Sequence, residues 1–350
     1  YVAADFDDVV FEVRTVPSST TFTIQMPTAE TGTGVTNDGT LDVLPYIAIG
    51  NAVAVGAFGW GAGRWGASTW GTPRTTANAT LDPGSWSLDN FGQKLIATVH
   101  NGRSFEWDPI AVSGSALTTR ATSISNNPTK SVMSIVSDRD RHLIQLGTET
   151  TIGTTTTQDK MFIRFSDQEN ITVYEPTSVN TAGTFRIDNG SKIVGAAKGK
   201  DYILILTDTS AYVMQFVGAP FTFSIRQVGS NCGLIGQHAL AFVDGSVYWM
   251  SDQGAFYVFD GTVKSLPCPV EDFVYTTGGD NLGINYNAGE QIFGGHNSLF
   301  SEVNWFYPKN GSNVVDRVVT YNYLEGSWTT GSLARTTYVD KGIYEFPYAT

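Results

Sequence analysis

The sequence has few cysteines and no long apolar run. Two cysteines, Cys232 and Cys268, in 350 residues exclude a disulfide-stapled scaffold, and we expect two unpaired, buried thiols of a protein made in a reducing compartment. No window of about 18 apolar residues occurs, so no membrane-spanning helix is predicted. A secretory signal peptide is not visible either.

Positive charge is also scarce. There are 21 Lys and Arg against 33 Asp and Glu, giving a formal net charge of -12 and a pI near 4.7. A protein that grips DNA through its phosphates needs clustered basic residues, so this class is excluded. The acidic balance does suit a surface that DNA slides past, because it repels the phosphate backbone and offers no strong attachment.

Motifs for catalysis, cofactors and metals are missing. No His-Glu-x-x-His, Cys-x-x-Cys, Gly-x-Ser-x-Gly or phosphate-loop pattern occurs. The four histidines, His100, His142, His238 and His296, are scattered. Paired carboxylates of a glycosidase cannot be assigned from spacing alone. We therefore predict that the protein is not an enzyme and has no catalytic, cofactor-binding or metal-binding residue.

Two loop segments are rich in oxygen ligands, namely 37–42 (Asn-Asp-Gly-Thr-Leu-Asp) and 188–190 (Asp-Asn-Gly). Calcium is one interpretation, but neither segment has the EF-hand spacing. Hydrogen bonds from Asx side chains to the backbone of a turn explain both segments more simply.

Threonine, glycine and aromatic residues are abundant, and this composition is typical of many short strands and turns. The segment 239–261 shows the pattern best. Strand-like runs at 239–243, 247–250 and 255–259 are separated by Asp244-Gly245 and by a turn at 251–254. Asp-Gly supplies the backbone angles of a tight hairpin, so a β-meander is predicted.

Similar strand groups recur, with middle strands near residues 97, 144, 204, 248 and 304. This spacing is close to the roughly 40–50 residues of a four-stranded propeller blade. We predict an all-β fold, a β-propeller of about five to six irregular blades at 85–350. A series of β-sandwiches is the alternative. Helix is expected only at 270–276, after Pro269.

The first part of the chain differs from the rest. Strand-like runs at 7–14 and 21–26, with a turn at 17–20, predict a hairpin within a small N-terminal β subdomain at 1–57. A Gly/Trp-rich connector follows at 58–84. In it Trp60, Trp65 and Trp70 recur every five residues, each before glycine. They are either a stacking platform for sugars or bases, or anchors that pack a loop on a neighbouring domain or subunit.

Several motifs occur in a fixed order along the chain, from 60–66, 86–97 and 105–108 through 136–141, 165–169 and 181–185 to the end. The later ones are Gly229-Ser-Asn-Cys-Gly-Leu234, Tyr248-Trp-Met-Ser251, Leu266-Pro-Cys-Pro-Val270, Glu302-Val-Asn-Trp-Phe-Tyr-Pro308 and Gly331-Ser-Leu-Ala-Arg335. With these motifs the sequence resembles the tail nozzle proteins of short-tailed bacteriophages, also called tail tubular protein B, to which packaged-DNA stabilisation proteins are analogous. The resemblance runs from about residue 9 to the end.

The resemblance implies a structural virion protein built on propellers. It implies a homohexameric ring in the phage tail, assembled in the host cytoplasm, that forms the DNA-exit conduit below the portal. The implied partners are further copies of the chain, the portal adaptor protein, tail fibre proteins and genomic DNA, which passes without sequence-specific binding. No small-molecule substrate is implied. Such proteins are longer than 350 residues, so sequence missing at both ends is expected.

Two other functions remain open from the sequence. One is a carbohydrate-binding or glycan-cleaving β-propeller used for receptor recognition. The other is a secreted bacterial adhesin, which would require an export signal upstream of Tyr1.

Overall fold

The computed structural model describes residues 13–18, 21–24, 85–109, 121–276 and 283–350. The chain divides into two compact units, Tyr1–Ile47 and Ala48–Thr350. The tryptophan run at 60–70 and the oxygen-rich segment at 37–42 lie outside the described residues.

In the first unit, the described residues form an antiparallel hairpin of β1 (Val13–Ser18) and β2 (Thr21–Ile24). The predicted hairpin is therefore present, but the expectation of a turn beginning at Pro17 is wrong. Strand β1 continues through Ser18, which pairs with Thr21. The hydroxyls of these two residues are 2.7 Å apart, and this cross-strand bond keeps them in the ladder.

The second unit contains five four-stranded antiparallel sheets in its described residues, each made of consecutive strands. Sheet I comprises β3 (Trp86–Phe91), β4 (Lys94–Val99), β5 (Ser104–Trp107) and β6 (Thr122–Ser123). Sheet II comprises β7 (Met133–Ser137), β8 (His142–Leu146), β9 (Phe162–Phe165) and β10 (Gly183–Arg186). Sheet III comprises β11 (Ile193–Lys198), β12 (Ile203–Thr207), β13 (Ser210–Gly218) and β14 (Thr222–Ser230).

The remaining elements complete the described chain. Sheet IV comprises β15 (Leu240–Val243), β16 (Ser246–Met250), β17 (Phe256–Phe259) and β18 (Val263–Leu266). Sheet V comprises β19 (Phe293–Asn297), β20 (Glu302–Tyr307), β21 (Arg317–Asn322) and β22 (Ser327–Gly331). A two-stranded sheet follows, made of β23 (Tyr338–Val339) and β24 (Tyr348–Ala349). The one described α-helix, α1 (Glu271–Tyr275), lies where the sequence predicted it.

The five sheets are arranged as the blades of a propeller. The first strand of each sheet contacts the first strand of the next, from β3 beside β7 to β15 beside β19. Strand β23 contacts β19 in the same way, so the two-stranded sheet follows sheet V as the start of a sixth blade. The predicted all-β, propeller-like architecture of five to six irregular blades is thus confirmed.

The β15–β16 turn shows how the sequence sets the hairpins. Asp244 and Gly245 have φ angles of 46° and 90°, both in the left-handed region. A two-residue hairpin needs positive φ at both central positions, which Asp-Gly tolerates. Val243 consequently pairs with Ser246, and the register of the whole meander follows.

Apolar side chains fill the spaces between sheets II to V. Aliphatic residues and Phe165 join sheets II and III. Large aromatic residues dominate between sheets IV and V, where Trp249, Phe256 and Trp305 are fully buried. Both indoles are also hydrogen-bonded: Trp249 Nε1 donates to the Cys232 carbonyl at 2.8 Å and Trp305 Nε1 to the Ala239 carbonyl at 3.2 Å.

No helix in the described ranges has the length and apolarity that crossing a membrane requires.

We expect Trp249→Ala to lower the free energy of unfolding by about 3–5 kcal/mol, because it opens a cavity between sheets and leaves the Cys232 carbonyl without its donor. Leu324→Ala is the control, because the Leu324 side chain is 77% exposed. This variant should change the free energy of unfolding by less than about 0.5 kcal/mol. Urea denaturation followed by circular dichroism measures both. Equal midpoints for the two variants would contradict this account of the core.

Candidate functional site at the convergence of the first strands

The first strands of the five sheets line a shared cavity of ≈ 380 Å³. Its wall is mainly apolar, with Leu88 from sheet I, Ile135 from sheet II, Ala197 from sheet III, Phe242 from sheet IV and Phe293 from sheet V. A propeller places its first strands around the axis, so residues from distant parts of the sequence meet here.

Side chains of β3 bind the backbone of β7 at the edge of this cavity. The Ser134 N–H donates to Ser87 Oγ at 3.1 Å, and the Val136 N–H donates to Asp89 Oδ2 at 2.7 Å. The two strands belong to different sheets, so no ladder partner is available for these N–H groups. Serine and aspartate on β3 supply the missing acceptors.

Lys198 joins three sheets at one end of the cavity. It ends β11, and its Nζ lies 2.7 Å from Asp89 Oδ1 on sheet I and 2.9 Å from Asp138 Oδ1 in the β7–β8 turn of sheet II. Partial burial of the ammonium acts to lower the pKa of Lys198, but the hydrogen bonds and charges of Asp89 and Asp138 outweigh it, and the pKa is raised. The charged lysine is therefore favoured by the folded state.

Buried hydroxyls join sheets I and II. Thr98 Oγ1 donates to Ser104 Oγ at 2.7 Å and lies 2.6 Å from Ser134 Oγ, while Gln145 Nε2 donates to Ser104 Oγ at 3.0 Å. All four side chains are buried. This joint thus relies on directional polar contacts, besides a small apolar cluster around Ile96, whereas the joints from sheet II onward are apolar.

A second polar contact lies inside the protein, next to sheet III. His142 is fully buried, with Nδ1 2.6 Å from Asp140 Oδ2 and Nε2 3.0 Å from Thr181 Oγ1. The Thr181 hydroxyl donates to Asp167 and accepts from the Gln168 N–H. Its remaining lone pair therefore faces His142, so Nε2 carries a hydrogen and donates.

The surroundings of His142 indicate a structural role. Phe165, Phe216 and Phe223 place their ring centroids 5.2–6.2 Å from the imidazole. The second oxygen of Asp140 accepts from Ser137 Oγ at 2.7 Å. The imidazole is shielded by these rings, while Asp140 lies at the wall of a small cavity that Phe216 and Phe223 also line. The pair fixes the start of β8 against the loop before β10 and against sheet III.

The four histidines do not gather into one site, although His100 and His238 lie close enough that the charge of His100 adds to the effect of burial on the pKa of His238. His100 Nδ1 lies 2.9 Å from Gln237 Oε1, and His296 Nε2 lies 3.1 Å from the Tyr323 hydroxyl. His238 stacks on Phe293, and burial lowers its pKa. Among the described residues no group of three or more His, Cys, Asp or Glu could hold a metal ion.

The two cysteines are free, as expected, but only Cys232 is fully buried, while Cys268 is partly exposed. Burial raises the pKa of each thiol to about 11, so neither is a reactive thiolate at neutral pH.

The oxygen-rich segment at 188–190 forms a turn. The Asn189 N–H donates to the Tyr212 hydroxyl, and its side-chain amide donates to Gln227. Neither is the bond from an Asx side chain to turn backbone that the sequence analysis offered, and the Asp188 side chain is 90% exposed.

Sequence reasoning missed the polar groups that hold the first strands together. Lys198 and Asp89 are 109 positions apart, and no local pattern joins them. The motifs 86–97 and 136–141 include four of the participants, Ser87, Asp89, Asp138 and Asp140, but the sequence does not show that they meet.

No protein-family model matches the chain, and no curated protein matches its sequence. Among solved structures, a Synechocystis apocarotenoid oxygenase variant aligns with a TM-score of 0.37 and 10% identity, covering 74% of this chain and 61% of that one. The designed protein Ika8 aligns with a TM-score of 0.41 and 13% identity, covering 76% of this chain and 69% of that one. The CNH domain of AfRom2 aligns with a TM-score of 0.41 and 11% identity, covering 73% of this chain and 74% of that one. The chain thus spans less than two thirds of the oxygenase. Similarities at this level carry no argument about function.

We expect Lys198→Met to lower the free energy of unfolding by about 1–3 kcal/mol at pH 7, because Asp89 is left largely buried without its cation. A lysine with a raised folded pKa stabilises the fold below its unfolded pKa, near 10.4, and this contribution is lost as the pH rises through the folded pKa. Urea midpoints of the variant and the unchanged protein should therefore differ between pH 7 and 9 and converge at higher pH.

Lys264→Met is the matched control, because Lys264 is 57% exposed and pairs only with Asp260. A pH-independent difference for Lys198→Met, or an equal loss in both variants, would contradict the three-sheet ion pair.

A second comparison tests the buried pair. Asp140→Ala should lower the free energy of unfolding by about 3–5 kcal/mol, because it leaves the buried imidazole of His142 without its carboxyl partner. Asp138→Ala is the comparison variant, because Asp138 lies in the same turn but its side chain is 70% exposed. It should lower the free energy of unfolding by about 1 kcal/mol or less. Thermal and urea unfolding measure the two variants. Similar stabilities would show that the Asp140–His142 contact contributes little.

Proposed function

We propose that this chain is a tail nozzle protein of a short-tailed bacteriophage. Its copies form a homohexameric ring that conducts genomic DNA out of the capsid, below the portal and its adaptor protein, and that carries tail fibre proteins. The observation behind the proposal is the ordered series of motifs that resembles this family. The role is mechanical, and the protein catalyses no reaction.

The positions of these motifs in the fold support a mechanical role. Trp249, in the motif 248–251, binds the carbonyl of Cys232, in the motif 229–234. Trp328 Nε1 donates to the carbonyl of Pro267, in the motif 266–270, at 2.9 Å. The motifs thus contribute to packing: one bond joins two of them, and another holds a motif residue against sheet V.

The charge distribution supports passage of DNA without adhesion. The net charge is -12, and several described cations are already paired with carboxylates, including Lys94–Glu106, Arg186–Asp159, Lys198–Asp89 and Lys309–Asp316. A cation paired within the protein gains little from a phosphate. A conduit of this composition has no strong attachment points for the backbone of DNA.

The exposed apolar residues provide a surface for subunit contacts. Large apolar side chains that remain exposed are concentrated after residue 298, and they include Phe300, Leu324, Val339, Ile343, Phe346 and Tyr348. Such a surface is typical of an interface, because a soluble monomer seldom exposes a large apolar patch.

The proposal is tested by the position and assembly of the protein. Electron cryomicroscopy of the phage particle should show the chain as a ring below the portal. Recombinant protein should assemble into rings by mass photometry, and Ile343→Glu should shift the population toward monomer by at least about tenfold.

Val179→Glu is the matched control, because Val179 and Ile343 are 93% and 95% exposed. It should leave assembly unchanged. A chain that occurs only as a free monomer, outside any phage tail, would overturn the proposal.

A further inference from the structure

A row of aromatic rings lies along the junction of sheets IV and V. Going along it, the centroids of Trp328 and Tyr321 are 4.7 Å apart, those of Tyr321 and Tyr248 6.1 Å, and those of Tyr248 and Tyr323 6.5 Å. The imidazole of His296 follows, 5.9 Å from Tyr323. We call these five residues the aromatic row.

The strand pattern explains why the row lies at a rim. Val319, Tyr321 and Tyr323 alternate along β21 and its continuation, so they share one face. Val319 is fully buried, whereas both tyrosines are only partly buried. The space between the sheets is filled by Trp249, Phe256 and Trp305, and the tyrosines pack against the edge of that core.

The hydroxyl groups of the row are available for a ligand. The Tyr323 hydroxyl bonds to His296, but among the described residues the hydroxyls of Tyr248 and Tyr321 have no hydrogen-bond partner. Phenylalanine would pack on the core equally well and at no polar cost. Tyrosine therefore adds a polar edge to an apolar face, the combination that recognises a molecule with both C–H faces and hydroxyls.

Acidic groups surround the row. Burial raises the pKa of Tyr248, and neighbouring tyrosines together with Asp260 and Asp244 raise it further, which places both carboxylates nearby. Asp340 lies 3.7 Å from His296 at the other end. The nearby cation Lys264 already pairs with Asp260. An acidic ligand would therefore be repelled, whereas a neutral one could donate its hydroxyls to free carboxylate oxygens.

We propose that the aromatic row is a binding site for neutral oligosaccharides. Sugar rings stack their C–H faces on Tyr321, Tyr248 and Tyr323, and their hydroxyls bond to the free hydroxyls of Tyr248 and Tyr321. A chain of sugars suits a line of rings, because successive ring separations are comparable to the length of one sugar unit. This binding does not depend on the proposed nozzle function.

The experiment uses the purified chain and a panel of soluble oligosaccharides. The neutral probes are maltohexaose, cellohexaose, mannohexaose and dextran fragments, and the acidic ones are hyaluronan and polysialic acid fragments. Binding is detected by saturation-transfer NMR and quantified by calorimetry. We expect at least one neutral probe to bind and both acidic probes to give no signal.

Variants then locate the site. Tyr321→Ala and Tyr248→Ala should each weaken binding by about tenfold, whereas Tyr321→Phe, which keeps the ring, should weaken it less. Tyr344→Ala, at a tyrosine that is 57% exposed and outside the row, is the control and should leave binding unchanged. Urea midpoints of Tyr321→Phe and of the alanine variants check that the fold is retained.

Three outcomes would overturn the proposal: no neutral probe binds, acidic probes bind equally well, or binding survives both alanine substitutions. Loss of ring assembly in Tyr248→Ala without any sugar binding would instead assign the row to subunit contacts. Ring assembly is measured separately, so failure of this proposal is distinguishable from failure of the nozzle proposal.

Discussion

Two buried indole N–H groups fix the position of sheet IV between its neighbours. Apolar contact alone is non-directional, so flat sheets could slide over each other at little cost. Trp249 binds the segment that enters sheet IV, and Trp305 reaches from sheet V to the residue just before β15. Each indole N–H donates to one particular backbone carbonyl. If the sheets slid past each other, that hydrogen bond would break and leave the carbonyl buried without a donor, which costs free energy. The radial order of the later sheets depends on this constraint.

The polar groups inside the molecule serve the same end. Lys198, Asp89 and Asp138 join three sheets, and Asp140 and His142 connect β8 to a loop and to sheet III. In a catalytic site, such perturbed or paired groups would converge on an open cleft. Here the imidazole of His142 is shielded by phenylalanines, and the ammonium of Lys198 is already bound by two carboxylates. These internal polar contacts therefore hold the sheets together.

Much of the fold could be predicted because its signals are local. Asp244-Gly245 marks a hairpin by backbone conformation, and β16 and β17 are rich in β-branched and aromatic residues. The outer strand β18 was not predicted, since only Leu266 of its four residues is buried and Lys264 and Ser265 are exposed. A strand at the outer edge of a blade needs no apolar alternation, so its sequence resembles a loop.

The polar joints between the sheets could not be predicted, for a different reason. Thr98 and Ser134 are common residue types, and nothing in the sequence around them shows that their hydroxyls bond to each other between two blades. The aromatic row shows the same limit. Tyr321 and Tyr323 are adjacent on one face of a strand, but Tyr248 joins them from another sheet. Spacing along the chain identifies strands, whereas the choice of neighbouring blade determines which side chains form a site.

The buried hydroxyls between sheets I and II have a consequence for the response to cold. Apolar burial loses strength on cooling, because its heat-capacity change is large. A junction made of hydroxyl and amide contacts has a much smaller heat-capacity change. It should therefore keep its stability at low temperature, while the junctions made of aliphatic and aromatic contacts become weaker. The blades of one propeller would then differ in their thermal response, with the first pair the least sensitive to chilling.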